Sequence, residues 1–196
     1  VKPGDVKYVD VNHDGVINAS DKVDLGNGLP KYTFGFNFSL AWKGFDLSAN
    51  FTGAAGFQIA QSYRDPSSSQ ANYSRRILKR WTGEGTSNEI PRVTYGDVGN
   101  WLFSDLYLQD GDYIRLQNLT MGYDFKKLIS WKGLSKMRLY FQVQNLFTLT
   151  KYDGMDPEIG SFNGTDGNSS DSWVSGVDMG YYPHPRTFIV GLNLAF

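Results

Sequence analysis

Cysteine is absent from this 196-residue chain. Disulfide staples and thiolate metal sites are therefore excluded, a composition that suits a cell-envelope protein. Long apolar runs are missing as well. No stretch approaches the roughly 18 consecutive apolar residues that a transmembrane helix needs, and mean hydropathy is -0.39. This rules out a membrane helix but not a membrane β-barrel, whose strands average a polar and an apolar face. Charge of one sign is lacking too: 19 Lys and Arg face 20 Asp and Glu, for a net charge of -1. Without a basic excess there is no argument for nucleic-acid binding. Histidine occurs only twice, as His13 and His184. Neither belongs to a nucleophile or metalloprotease motif, so both read as solvated loop histidines and the chain does not read as an enzyme. The first residues, V-K-P-G-D, are not a signal peptide and carry no initiator Met. An exported protein should have both, so the chain is expected to be the carboxy-terminal piece of a longer one.

What is abundant is aromatic residues, at 15% of the sequence, and alternation. Residues 186–196 read R-T-F-I-V-G-L-N-L-A-F. Phe188, Val190, Leu192, Leu194 and Phe196 fall on one face of a strand. The other face carries Thr187, Ile189, Gly191, Asn193 and Ala195. About 10 residues tilted near 45° cross a bilayer, and side chains alternate with period two. The same pattern marks residues 31–42, where Tyr32, Phe34, Phe36, Phe38, Leu40 and Trp42 share a face. After the Lys43-Gly44 turn, residues 45–53 alternate again, which predicts a hairpin. Residues 113–125 form a third strand whose phase slips near Gln117-Asn118, predicting a β-bulge. Residues 136–147 form a fourth and residues 186–196 a fifth.

The connections alternate in length. Lys43-Gly44 and residues 126–136 are short, whereas 54–112 and 148–185 are long. Outer-membrane barrels keep short turns in the periplasm and long loops outside. This fixes an expected orientation, with the carboxy terminus periplasmic and residues 1–30 extracellular. The fold class predicted is all-β, a transmembrane antiparallel barrel segment with long outer loops. Five strands do not close such a barrel, so further strands must come from elsewhere in the protein or from another chain.

One motif carries chemistry. D-V-N-H-D-G-V-I-N-A-S-D, residues 10–21, matches an EF-hand-type calcium loop. Asp10, Asn12 and Asp14 occupy positions one, three and five, Gly15 the sharp turn at six, Val16 the backbone carbonyl at seven, Asn18 position nine and Asp21 position twelve. The spacing lets alternate side chains wrap a hard cation with oxygen donors. Asp at position twelve is shorter than the usual Glu, which weakens the site or favours a smaller ion. The competing reading is an Asx-rich turn that holds no ion. If calcium binds, its role is structural. The Asn-x-Ser/Thr matches at Asn37, Asn50 and Asn118 lie inside strands and read as chance.

The outer loops are rich in aromatics. Trp81, Tyr95, Trp101, Phe103, Tyr107, Trp173, Tyr181 and Tyr182 are candidates for stacking on a ligand or a lid. Packing among the loops is the plainer alternative.

Several co-linear blocks resemble the carboxy-terminal region of SusC/RagA-type TonB-dependent transporters. They are G-D-V-K-Y-V-D-V-N-H-D-G-V-I-N, P-K-Y-T-F-G-F-N-F-S-L-A-W-K-G-F-D-L-S-A-N-F, D-G-D-Y-I-R-L-Q-N-L-T-M-G-Y, L-Y-F-Q-V-Q-N-L-F-T-L-T-K-Y-D-G-M-D-P-E and Y-Y-P-H-P-R-T-F. The resemblance implies the last five strands of a plugged barrel of about 22 strands. It also implies import of oligosaccharides or peptides across a Gram-negative outer membrane, a SusD-like surface lipoprotein as lid, and energy from TonB through an amino-terminal part absent here. Two other readings stay open from the residues alone. One is a soluble, calcium-stabilised carbohydrate-binding or adhesion module. The other is a barrel-type outer-membrane enzyme, for which no catalytic constellation is visible.

Overall fold

The computed structural model describes residues 1–62, 75–93, 99–129, 131–159 and 176–196. Eight strands follow in chain order: β1 (Tyr32–Trp42), β2 (Phe45–Ala55), β3 (Gln58–Gln61), β4 (Leu108–Asp110), β5 (Tyr113–Asp124), β6 (Lys136–Thr150), β7 (Val177–Asp178) and β8 (Thr187–Ala195). Five of them build one antiparallel sheet in the order β1-β2-β5-β6-β8. The other three build a small sheet in the order β4-β3-β7.

The hairpin closes as its sequence predicts. Lys43 and Gly44 both take positive φ, 47° and 95°, the combination of a two-residue turn whose twist matches the flanking strands. The bulge is present as well. Phe51 of β2 pairs with Leu116 and Asn50 with Asn118, so Gln117 is the extra residue. The same interruption appears against β6, where Leu116 pairs with Phe147 and Asn118 with Gln144. Asn145, in the gap, adopts φ 52°. The bulge keeps Ile114 and Leu116 on the same face as Leu119, Met121 and Tyr123.

Register then sorts the whole sheet into two faces. One row runs Leu40, Leu47, Met121, Phe141, Val190; the next runs Trp42, Phe45, Tyr123, Leu139, Leu192. Ring contacts knit neighbouring strands, Phe36 to Phe51 and Phe141 to Phe188, each at 6.2 Å. The opposite face runs Ser39, Ser48, Thr120, Gln142 in one row and Ala41, Asp46, Gly122, Tyr140, Gly191 in another.

The apolar face is most open on its edge strands, while Val143 and Leu116 within it are 3% and 5% exposed. Phe36 is 59% exposed, Phe188 61% and Val190 72%. The buried hydrophobic cluster lies instead at the loop end of the sheet, where Ala54, Phe57, Ile59 and Tyr152 pack with Tyr113 and Ile159. A water-soluble sandwich would cover such a face with a second layer. An 11-residue strand such as β1 is about 36 Å long. Tilted as barrel strands are, it spans an apolar band of about 25 Å.

Three expectations need correction. First, β2 continues to Ala55 and β6 to Thr150, beyond residues 53 and 147, because pairing with β1 and β5 continues there. Second, β5 gives way at Phe125 to a 3-10 turn, Phe125–Lys127, capped by the Asp124 side chain. Third, the long connections hold short strands of their own. β3 and β4 lie within 54–112 and β7 within 148–185. Runs of two to four residues carry too little periodicity to be read as strands.

Candidate functional site

On the polar face, near the short-turn end, Arg138 of β6 reaches across Gly122 to Asp46 of β2. Its Nε donates to Oδ1 at 2.8 Å and its Nη2 to Oδ2 at 2.5 Å. The guanidinium also lies 5.0 Å from the Tyr140 ring. Gly122 is required by this geometry, since a Cβ there would meet the guanidinium at 2.6 Å. Gly191 likewise lies beneath the Tyr140 ring.

A second polar cluster closes the loop end. Arg115 projects from β5 and is 2% exposed. It pairs with buried Asp156, reaches Glu158 at 2.9 Å, and donates from Nε to Thr148 Oγ1 at 3.0 Å. Asp156 also accepts from the backbone N–H of Glu158 at 2.9 Å and of His184 at 3.0 Å, and it meets His184 Nδ1 at 3.0 Å. Burial pushes the Asp156 carboxyl up. The His184 and Glu158 amides, the His184 ring and the Arg115 cation outweigh burial and hold it below the usual carboxylate range. His184 is exposed in a loop, as the sequence reading expects, and is also partnered by Asp156. Beside this cluster the Tyr152 hydroxyl donates to buried Asp178, which also accepts from the N–H groups of Gly180 and Tyr181.

The amino-terminal segment is tied to the loops. Asp5 bonds Arg92 at 2.6 Å and Asn100 at 3.1 Å, and Val6 N–H donates to Asn100 at 2.8 Å. The Arg92 hydrogen bond leads the effects that lower the Asp5 carboxyl far below its ordinary range.

Residues 10–21 fold into a compact exposed turn. Asp10 accepts from the N–H groups of Asp14 (3.3 Å) and Gly15 (2.8 Å), Asn12 from Asp14 N–H (3.0 Å), and Asp14 from Val16 N–H (2.8 Å). Asp21 joins the two ends, accepting from Val11 at 2.9 Å and Asn18 at 2.7 Å. His13 and Gly15 supply the positive φ of the bend, 61° and 82°. Asn18 serves as N-cap of the short Ala19–Asp21 turn, and its amide donates to the Val16 carbonyl at 3.2 Å. Among the described residues, no group of three or more His, Cys, Asp or Glu side chains stands gathered to hold an ion.

The candidate aromatics divide. Trp81 packs over Gly4, where a Cβ would fall 2.4 Å from its ring. Tyr107 donates to the Asn100 carbonyl at 2.9 Å. Both therefore serve loop packing. Phe103 and Tyr182 stand 65% and 81% exposed, and Tyr181 is 37% exposed. Tyr95, Trp173 and the side chain of Trp101 lie outside the described residues. An open polar cleft of about 330 Å³ at the loop end is lined by Arg76, Lys79, Glu89, Ile90, Gln109, Asp110, Lys151 and Asp153. These residues come from three separated segments, so no sequence spacing marks them.

Comparison with known proteins decides among the readings. Over 196 residues the chain is 35% identical to TonB-dependent receptor P3 of Formosa agariphila, a match that covers 99% of this chain and 19% of that protein. It is 29% identical to TonB-dependent receptor SusC of Bacteroides thetaiotaomicron over 199 residues, covering 100% of this chain and 18% of that one. The chain belongs to the SusC/RagA-type TonB-dependent receptors. No family model matches it. In three dimensions it superposes on the RagAB peptide transporter with a TM-score of 0.71 at 24% identity, covering 92% of this chain and 19% of that one. That likeness concerns the fold. The RagAB importer in its closed-closed state gives 0.65 at 22% identity. The chain spans about a fifth of the length of the relatives it matches. Those relatives are receptors and not enzymes.

Proposed function

We propose that this chain is a section of the wall and outer rim of an outer-membrane importer. The observation that carries this reading is the register-matched apolar face of five strands, which no second layer covers among the described residues, on a member of this family. The apolar face meets lipid and the polar face looks into the lumen. The short turns and carboxy terminus point to the periplasm, and residues 1–30 with the long loops point outside. A SusD-like lipoprotein lid, a plug, the remaining strands and TonB complete the machine. The cargo is an oligosaccharide or a peptide. The RagAB likeness leans toward peptide, and so does the mixed-charge rim cleft, whose described lining holds no aromatic platform.

Phe103 and Tyr182 are the exposed aromatics best placed to meet the lid. Replacing both with Ala in the full-length protein is expected to lower recovery of the lipoprotein in detergent co-purification at least threefold, because buried aromatic anchors dominate interfaces. Barrel yield should be unchanged. Equal recovery would remove these residues from the interface.

Calcium in the loop of residues 10–21 is part of this reading. The donors suit it: Asp10, Asn12 and Asp14 with the Val16 carbonyl and Asp21 are hard oxygens, and the turn at Gly15 already has its positive φ. Each carboxylate that accepts an amide N–H keeps lone pairs for an ion. The ion would supply charge neutralisation and tie the loop's two ends. Protease cleavage within residues 1–30 should be slower in calcium than in chelator, and Asp10→Ala should abolish the difference. Identical cleavage in both conditions would discard the ion.

A further inference from the structure

The polar cleft at the loop end is paired on one side and unpaired on the other. Its paired side comes from β4 and the residues just after β6. Asp153 Oδ1 accepts from the side-chain amides of Gln109 at 2.6 Å and Gln61 at 2.9 Å, and Asp153 N–H donates back to Gln109 Oε1 at 3.0 Å. Asp110 accepts from Asp112 N–H at 3.0 Å and faces Lys151 at 3.9 Å. The unpaired side comes from the 3-10 turn Arg75–Lys79 and from residues 89–90. Trp81 N–H donates to the Ile90 carbonyl at 2.9 Å, which sets these two segments side by side. Residues three apart on a 3-10 helix eclipse one another, so Arg76 and Lys79 share a face, and both line the cleft. The side chains of Arg76, Lys79 and Glu89 have no hydrogen-bond or ion-pair partner among the described residues.

Two like charges on one face repel, and an anion placed between them relieves the repulsion. Two unpaired cations against one unpaired acid leave this side of the cleft with an excess of positive charge. The cavity, about 330 Å³, lies at the small end of the range that holds ligands, about 300–1,000 Å³. Arginine offers a fork of donors that matches a carboxylate, and lysine adds a compact point charge. Glu89, at the same opening, is left to take an ammonium. An acidic peptide carries both groups. A neutral glycan carries neither, and the described lining offers its rings no aromatic face. We propose that the cleft is a subsite for acidic peptides, in which Arg76 and Lys79 hold a peptide carboxylate and Glu89 takes an ammonium of the same chain. The proposal rests on the importer reading above and narrows its cargo.

The test is isothermal titration of the full-length protein in detergent at low salt. The probes are three Gly/Ala hexapeptides, amidated at the carboxy terminus, whose two central residues are Glu, Gln or Lys. The wild type should bind the Glu peptide about tenfold more tightly than the Gln peptide, and the Lys peptide most weakly. Each cation neutralised should weaken the Glu peptide about threefold, so R76Q/K79Q should lose the preference while R76K/K79R keeps it. Added salt should shrink the preference. K132Q, which alters an exposed lysine at the short-turn end, should behave as wild type. Acetylating the amino terminus of the Glu peptide should weaken its binding to the wild type and leave E89Q indifferent. Equal affinity of the wild type for all three peptides, or a preference that survives R76Q/K79Q, would overturn the subsite and leave the importer reading intact. Binding of tri-galacturonate but of no peptide would overturn it in favour of a carboxylated glycan, and binding of no probe at all would overturn it outright. Failure of the importer reading is read separately, by whether the protein enters the outer-membrane fraction.

Discussion

Arginine at Phe38 is expected to cripple assembly of the full-length protein, whereas arginine at the next residue, Ser39, is expected to be tolerated. The two positions lie at one depth in β1 and differ only in face. Phe38 shares its row with Ala49, Leu119, Val143 and Phe188; Ser39 shares its row with Ser48, Thr120, Gln142 and Ile189. A charged side chain against the middle of the bilayer costs about 2–4 kcal/mol. A lumen-side arginine keeps its hydration, and a surface change of that kind costs about 0.5 kcal/mol or less. Val190→Arg, on the apolar face of β8, should behave as Phe38→Arg does. Heat-modifiable migration and yield in the outer-membrane fraction report the outcome. Equal tolerance at Phe38 and Ser39 would sink the assignment of the apolar face to lipid.

The contrast between those neighbours was already legible in the sequence, because period-two alternation is a local signal and the strands are long. Six alternations in β1 and five in β8 leave no helical competitor. The Gln117 bulge was legible for the same reason, as a slip in phase. The loop end was not. β3 pairs with β4, far along the chain, and with β7 in parallel. The segments involved are two to four residues long, so only tertiary contact specifies them. The partner of His184 was not legible on the same ground. Its partner Asp156 lies 28 residues away, and no spacing rule links a lone His to a lone Asp at that distance. The aromatics of the loops were found by composition, but composition does not separate Trp81, packed over Gly4, from Tyr182, open to solvent. For the loop of residues 10–21, the sequence specified the bend at Gly15, and the bend is present. The sequence did not foresee that Asn18 would be used as a helix cap.

Removing the Arg115 cation is expected to have the largest effect at the loop end. Arg115 is 2% exposed and Asp156 5%, and Arg115 is the one guanidinium paired to that carboxylate among the described residues. Arg115→Met keeps the volume of the stem but leaves Asp156 as a buried, uncompensated charge. Breaking a buried pair from one side costs about 3–5 kcal/mol. The loss should be local. The strands below keep their ladder, while residues 151–159 and 181–186, joined through Asp156 to His184 and Glu158, lose their common anchor. Hydrogen exchange on the full-length protein should quicken in both segments together and leave the central part of β5 unchanged. Asp156→Asn in the Arg115→Met background removes the orphaned charge and keeps an acceptor for the His184 and Glu158 amides, so the double variant should recover part of the loss. The carboxyl sets the pH dependence. Its folded value lies below its unfolded one, so its stabilisation is complete above the ordinary carboxylate range and disappears as pH falls through the lowered value. Acid should therefore loosen the same two segments in the wild type and have less effect on them in the double variant. Unchanged exchange in Arg115→Met would mean that the two loops are held by the Tyr152–Ile59 core alone.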